Sequence, residues 1–161
     1  MHNEAIPVLY GMNNFSLVDS TPQQVGLLQI FLDCIGSVNA GLLSHLCINF
    51  PVAESIDGQP GKFKLRDDSL RTLKLLREKS TNLTTLETFI YGKNAMDLSE
   101  TDQDNSQFIQ DGLSQIDAQL KVIPSLNRVI VRMLGETPTL SVIELMQGLG
   151  WAVLRSHGKQ C

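Results

Sequence analysis

The sequence predicts an α/β fold in which helix-strand units build a mostly parallel sheet beneath a single layer of helices. Three segments with strand-like alternation, "LSHLCINF" from Leu43, "LTTLETFI" from Leu83 and "LNRVIVRM" from Leu126, begin about 40 residues apart and indicate an internal repeat. Between them lie stretches with apolar residues at steps of three and four, the spacing of amphipathic helices. Strands that alternate with helices are typical of parallel sheets joined by right-handed crossovers.

The opening residues, 1–19, are expected to cap the first edge of this sheet. Apolar and aromatic residues alternate on both sides of a turn at Gly11 to Asn14 and predict a short strand or a hairpin: Ile6, Val8, Tyr10, Phe15 and Leu17. The whole chain has 161 residues, of which 42% are hydrophobic and 19% charged, so one domain over 1–161 is expected.

Four helix-strand units should follow the cap, over residues 20–50, 68–91, 101–134 and 138–155. Thr21 and Pro22 suit a helix start, with Gln24 placed to reach back to the first turn. Gly36 and Gly150 suit the positions just beyond a helix end. The last unit ends in "WAVLR", which we interpret as the fourth strand of the series.

Alternation within the strands predicts that helices cover only one face of the sheet. A sheet buried on both faces has nearly unbroken apolar strands, whereas these strands alternate. The side chains expected to face the helices are Leu46, Ile48, Phe50, Leu86, Thr88, Ile90, Val129, Val131 and Met133. Those expected on the open face form rows of His45, Thr85 and Arg128, of Cys47, Glu87 and Ile130, and of Asn49, Phe89 and Arg132.

This arrangement is that of a leucine-rich-repeat-like arc, with units longer than the roughly 20–29 residues of regular repeats. Such arcs bind other proteins through their sheet face. The candidate protein-binding surface comprises Phe89, Tyr91, Glu87, Arg128, Ile130, Arg132, His45 and Asn49. Its aromatic and arginine side chains are the expected anchors, because these residue types dominate interface energetics.

The stretches "EAIPVLYGMNNFSL" and "LLQIFLDCIGSVNAGLLSHLCINF" resemble a group of uncharacterised filamentous-fungal proteins that are F-box-like or leucine-rich-repeat-like. "SLRTLKLLREKSTNLTTLET" resembles the later repeats of that group. Its members often carry a helical F-box-like segment before the LYG run, whereas only residues 1–3 precede Glu4 here. The resemblance therefore implies a truncated relative, for which a ubiquitin-ligase adaptor is not an expected partner.

Motifs for catalysis and cofactor binding are absent from the sequence. It has no GxSxG nucleophile motif, no glycine-rich phosphate loop and no CxxC pair. His45 and Cys47 share a strand face, but no third ligand stands at a recognised spacing. We therefore expect no catalytic residue, no cofactor and no metal site, and the three widely spaced cysteines suggest reduced thiols.

Charge and hydropathy limit the partners. No apolar run approaches the roughly 20 residues of a membrane span and no secretory signal opens the chain, so an intracellular location, cytoplasmic or nuclear, without a membrane partner is expected. The net charge of −4 argues against nucleic acid, even though the basic residues concentrate between 62 and 79.

Together these observations favour a non-enzymatic protein-interaction module whose protein partner the sequence does not identify. The alternative is a small α/β enzyme or ligand-binding domain. Its pocket would lie between the loops 51–67 and 92–100, because both loops follow strands and emerge at the carboxyl end of the sheet.

Overall fold

The computed structural model describes residues 2–18, 24–60, 62–91, 103–135 and 138–155. Within these residues the helices are α1 (His2–Met12), α2 (Gln24–Leu42), α3 (Asp67–Lys79), α4 (Gln103–Lys121) and α5 (Leu140–Gly148). The strands are β1 (Asn14–Ser16), β2 (His45–Asn49), β3 (Ala53–Ser55), β4 (Phe63–Leu65), β5 (Thr85–Tyr91), β6 (Arg128–Leu134) and β7 (Ala152–Arg155).

The main sheet has the strand order β1-β2-β5-β6-β7, and every pairing in it is parallel. The prediction of an α/β fold with a mostly parallel sheet is therefore confirmed. The strand order advances in one direction only, and α2, α3, α4 and α5 all contribute to one core cluster with the same face of the sheet.

The internal repeat has a structural counterpart in the turns that lead into the strands. The backbone N–H groups of Leu43, Leu83 and Leu126 each donate to the carbonyl three residues earlier, at 3.3, 3.2 and 3.2 Å. Two residues after each leucine a strand begins, and these three strand starts, His45, Thr85 and Arg128, are paired in register. The register read from the sequence is confirmed residue by residue.

The main core lies between the helices and one face of the sheet. Leu46, Ile48, Leu86, Val131 and Met133 on the strands are buried there, in one cluster with the apolar faces of α2, α3, α4 and α5. Trp151 belongs to the same cluster. Its ring meets Phe50 edge-on at 6.2 Å, and its Nε1–H donates to Asp117 Oδ1 at 3.2 Å. The prediction that the alternating apolar residues face the helices is therefore confirmed.

The opening stretch differs in part from its prediction. Ile6, Val8 and Tyr10 lie in α1 and not in a strand, so the hairpin form of the predicted cap is wrong. The short strand is present as β1, which pairs in parallel with β2. Tyr10 stacks on Phe15 of β1 with ring centroids 5.6 Å apart, and this contact fixes α1 against the sheet edge.

A glycine bends α2 in the middle of its length. Gly36 has φ 82° and ψ 163°, a backbone conformation open to glycine and strained for other residues, yet the chain resumes a helix and continues to Leu42. The predicted helix end at this glycine is therefore a kink. The expectation that no apolar run approaches the length of a membrane span is wrong, because α2 is long and apolar enough to cross a membrane by length and composition alone. Leu28, Leu32 and Ala40 of this helix are buried in the core.

The segment after β2 contains an element that the sequence did not predict. β3 and β4 form a two-stranded antiparallel hairpin within the stretch 51–67, which we expected to be a loop. Both strands have three residues, which is too short for a recognisable alternation.

Candidate protein-binding face

The side chains that point away from the helices form the face on which a partner was expected. Its paired rows are His45, Thr85 and Arg128, then Cys47, Glu87 and Ile130, then Asn49, Phe89 and Arg132. Tyr91 lies two residues beyond Phe89 on the same strand. We call these ten residues the polar sheet face. The three predicted rows are confirmed.

The accessibility of this face differs from the expectation. Phe89 and Ile130 are each 3% exposed, Glu87 is 4% exposed and Cys47 is fully buried. The prediction that the whole face meets water is thus wrong for its middle row and for Phe89. These side chains cannot anchor a partner in this conformation.

The other predicted surface residues keep contact with solvent. Arg128 is exposed, while His45, Asn49, Tyr91 and Arg132 are half-buried. The ring of Tyr91 stacks on that of Phe89 with centroids 6.3 Å apart and an interplanar angle of 29°. Phe89 therefore supports Tyr91 from the interior and contributes to the surface only through it.

Glu87 is the centre of an ion-pair network that joins three strands. Its Oε2 accepts a hydrogen bond from Arg132 Nε at 2.9 Å, and its Oε1 lies 3.1 Å from His45 Nε2 and 3.5 Å from Arg132 Nη2. The three residues come from β5, β6 and β2. A buried carboxylate needs such partners, because burying an unpaired charge is costly.

The network fixes the protonation of Glu87. Burial on its own would raise the pKa of this carboxyl, but the hydrogen bond and charge of Arg132, followed by those of His45, hold the pKa below its ordinary value. Glu87 is therefore ionised at neutral pH. It positions the side chains of Arg132 and His45 at the surface above it.

The cysteines correct one expectation. Cys47 is disulfide-bonded, so the prediction of reduced thiols does not hold at this position, and its sulfur, 4.0 Å from Glu87 Oε2, has no proton to donate. Cys34 is free and exposed, and Cys161 lies outside the described residues. Within the described ranges no group of three His, Cys, Asp or Glu side chains could hold a metal ion.

Gln24 secures the edge of the face from the start of α2. Its side-chain amide donates to the Leu17 carbonyl at 3.0 Å, and its Oε1 accepts the Asn49 backbone N–H at 2.9 Å. The sequence predicted that this glutamine reaches back to the helix start, whereas it bridges the chain after β1 and the end of β2. Its position near the start of an apolar helix could not reveal a partner 25 residues away.

The loops of the alternative site are only partly described. The first, 51–67, holds the hairpin of β3 and β4, in which Lys64 Nζ lies 3.5 Å from Glu54 Oε1. The second, 92–100, lies outside the described residues. The pocket proposed between them therefore stays a prediction.

We compared the chain with protein-family models, with curated proteins and with solved structures. None of the three comparisons found a match. The resemblance to fungal F-box-like and leucine-rich-repeat-like proteins therefore stays a prediction, and the function has to be argued from the polar sheet face itself.

Proposed function

We propose that this protein is a non-enzymatic interaction module, a leucine-rich-repeat-like arc that binds a partner protein through the polar sheet face. The one-directional strand order and the paired turns before β2, β5 and β6 support the repeat. Helix-strand units of this kind leave the sheet face as the surface that does not pack on helices. The proposed location stays intracellular, as expected from the sequence, but the disulfide bond of Cys47 does not support it, because disulfides persist mainly in oxidising compartments.

The observation that carries the proposal is the network around Glu87. A surface binds more tightly when its side chains are already held in the bound arrangement, because less conformational entropy is lost. Glu87 holds Arg132 and His45 in this way, and Phe89 holds Tyr91. The module thus presents arginine, histidine and tyrosine on a rigid sheet.

The roles of the eight predicted surface residues divide accordingly. Tyr91, Arg128, Arg132, His45 and Asn49 are proposed to contact the partner. Glu87, Phe89 and Ile130, which are buried, support them from beneath.

The proposal is tested by affinity capture from the source organism, followed by quantitative mass spectrometry. The face variant is Arg128→Ala with Tyr91→Ala, and the matched control is Arg71→Ala with Lys74→Ala, two exposed changes on α3. We expect a group of proteins that the wild type and the control recover and the face variant loses. Thermal unfolding followed by circular dichroism checks that all versions fold.

If the face variant and the control recover the same proteins in the same amounts, the polar sheet face is not the binding surface and the proposal is wrong.

A further inference from the structure

We infer that the partner binds with an acidic segment that lies across the amino-terminal ends of the strands; this inference rests on the proposed function. The site is the row of paired residues Asn14, His45, Thr85 and Arg128, which runs across β1, β2, β5 and β6. We call it the first row. All four side chains are accessible, with Asn14 and Arg128 exposed and the other two half-buried.

The chemistry of the first row is that of a carboxylate receptor. Asn14, Thr85 and Arg128 each carry a hydrogen-bond donor, and His45 offers a ring nitrogen that becomes a second donor when the ring is protonated. No acidic side chain stands in the row. Arg128 forms no ion pair with any residue that the structure describes, so its guanidinium can pair with an incoming carboxylate.

The charge balance of the polar sheet face supports an acidic partner. On this face Arg132 is paired with the buried carboxylate of Glu87, so Arg128 supplies the positive charge that no described residue neutralises. The chain as a whole carries a net charge of −4. A local cationic surface on an acidic protein favours an acidic segment placed on that surface and repels acidic chains elsewhere.

The spacing of the row sets the pattern of the segment. Neighbouring strands lie about 4.8 Å apart, so the backbones at His45 and Arg128, two strands apart, are separated by about 10 Å. A chain in the extended polyproline II conformation has three residues per turn and advances about 3.1 Å per residue, so acidic residues three positions apart lie on the same side and about 9 Å from each other. The inferred motif is therefore acid-x-x-acid in an extended segment.

Nucleic acid fits the first row less well than an acidic polypeptide. The row has no Phe, Tyr or Trp on which a base could stack, its one ring, that of His45, is held by Glu87 at 3.1 Å, and Phe89 is buried. A polyanion long enough to cross the whole domain would also meet the net negative charge of the chain.

The inference is tested by fluorescence anisotropy with three labelled probes at low and physiological ionic strength. The first probe is a peptide with glutamate at every third position and glycine between. The second replaces each glutamate with lysine, and the third is single-stranded oligothymidylate. The variants are Arg128→Glu and, as a matched charge reversal, Arg71→Glu on the exposed side of α3.

We expect the glutamate peptide to bind the wild type, and Arg128→Glu to raise its Kd by about tenfold, the loss of one charge-assisted hydrogen bond. Arg71→Glu should change the Kd less than about twofold, and the lysine peptide should not bind. Equal effects of the two reversals, or equal binding of the two peptides, would overturn the inference. If oligothymidylate binds more tightly than the glutamate peptide, and Arg128→Glu weakens its binding by the same factor, the inference is overturned in favour of nucleic acid.

The capture experiment separates this inference from the proposed function. If capture shows proteins lost with Arg128→Ala and Tyr91→Ala while the glutamate peptide fails to bind, the acidic motif is wrong and the interaction face stands. If both experiments fail, the proposed function is wrong as well.

Discussion

Glu87 gives the sharpest prediction about how this protein is held together. Replacing it by glutamine keeps the volume of the side chain but removes the charge that Arg132 and His45 share across the three central strands. The variant should therefore unfold more easily. It should not lose the core between helices and sheet, because Glu87 points away from that core.

The magnitude follows from the geometry. The strong contact is the 2.9 Å hydrogen bond from Arg132 Nε, whereas the 3.5 Å contact from Nη2 is weak. A hydrogen bond to a buried charge contributes about 1.5–3 kcal/mol, and glutamine can still accept one neutral bond. The side chains of Arg132 and His45 are 28% and 30% exposed, so water replaces part of what they lose. We expect a loss of about 2 kcal/mol in the free energy of unfolding near pH 7.

The pH dependence provides a second and independent signature. The pKa of Glu87 is lowered by folding, so its stabilising effect is complete above the ordinary value of 4.5 and is lost as the pH falls through the folded value. The difference in stability between wild type and Glu87→Gln should thus shrink as the pH falls below 4.5, and it should vanish once the pH lies below the folded-state pKa of the carboxyl.

The assay is urea denaturation followed by circular dichroism near pH 7, 5 and 3. Glu54→Gln is the matched control, because Glu54 pairs at 3.5 Å with Lys64 while both side chains stay more than 40% exposed. Glu54→Gln should lower the free energy of unfolding by less than about 0.5 kcal/mol at every pH. The reasoning about Glu87 is refuted if Glu87→Gln behaves like this control, or if its loss of stability stays the same down to pH 3.

Two further predictions concern the last unit. Gly150 has φ 88° with no atom within 4 Å of an added Cβ, so Gly150→Ala should lower stability by about 1–2 kcal/mol through backbone strain alone. Gly148 also has open space around an added Cβ, but it ends α5 without a positive φ, so Gly148→Ala should be neutral or stabilising by up to about 1 kcal/mol. If thermal unfolding shows Gly148→Ala to be less stable than Gly150→Ala, this account is wrong. Trp151→Phe keeps an aromatic ring in the core but leaves Asp117, among the residues that the structure describes, with only its 2.5 Å contact to Lys121. We expect the free energy of unfolding to fall by about 1–2 kcal/mol, and an unchanged urea midpoint would show that the indole hydrogen bond contributes nothing.

Much of the main sheet could be predicted from the sequence because a short stretch of consecutive residues is enough to indicate each strand. Each strand repeats the same spacing from a leucine, so aligning Leu43, Leu83 and Leu126 gives the register of β2, β5 and β6 directly. The inward and outward faces follow from the alternation of period two.

The accessibility of the outer face could not be predicted in the same way. Alternation shows which way Glu87 and Phe89 point, but burial depends on what else lies over them, and this is a property of the three-dimensional packing. The network of Glu87 with His45 and Arg132 joins residues 42 and 45 positions away. Pairwise partners at that distance become visible only once the register is known.

The opening stretch shows a second limit. Ile6, Val8 and Tyr10 have the spacing of a strand, but the apolar residues Ala5, Val8, Leu9 and Met12 also have the spacing of a helix, and α1 forms. A short apolar run satisfies both periods, and tertiary contact decides between them. Here the stacking of Tyr10 on Phe15 accompanies the helical form.

The strand order also has a consequence for how the chain folds as it is made. Every hydrogen-bonded pair in the main sheet from β2 onward joins segments separated by a whole helix, so no strand can pair before the ribosome has released the next unit. The edge of β2 that pairs with β5, together with the apolar side chains of β2, therefore stays unpaired until β5 has emerged. We expect the nascent protein to depend on chaperones during that interval, and each later strand to join a template that already exists.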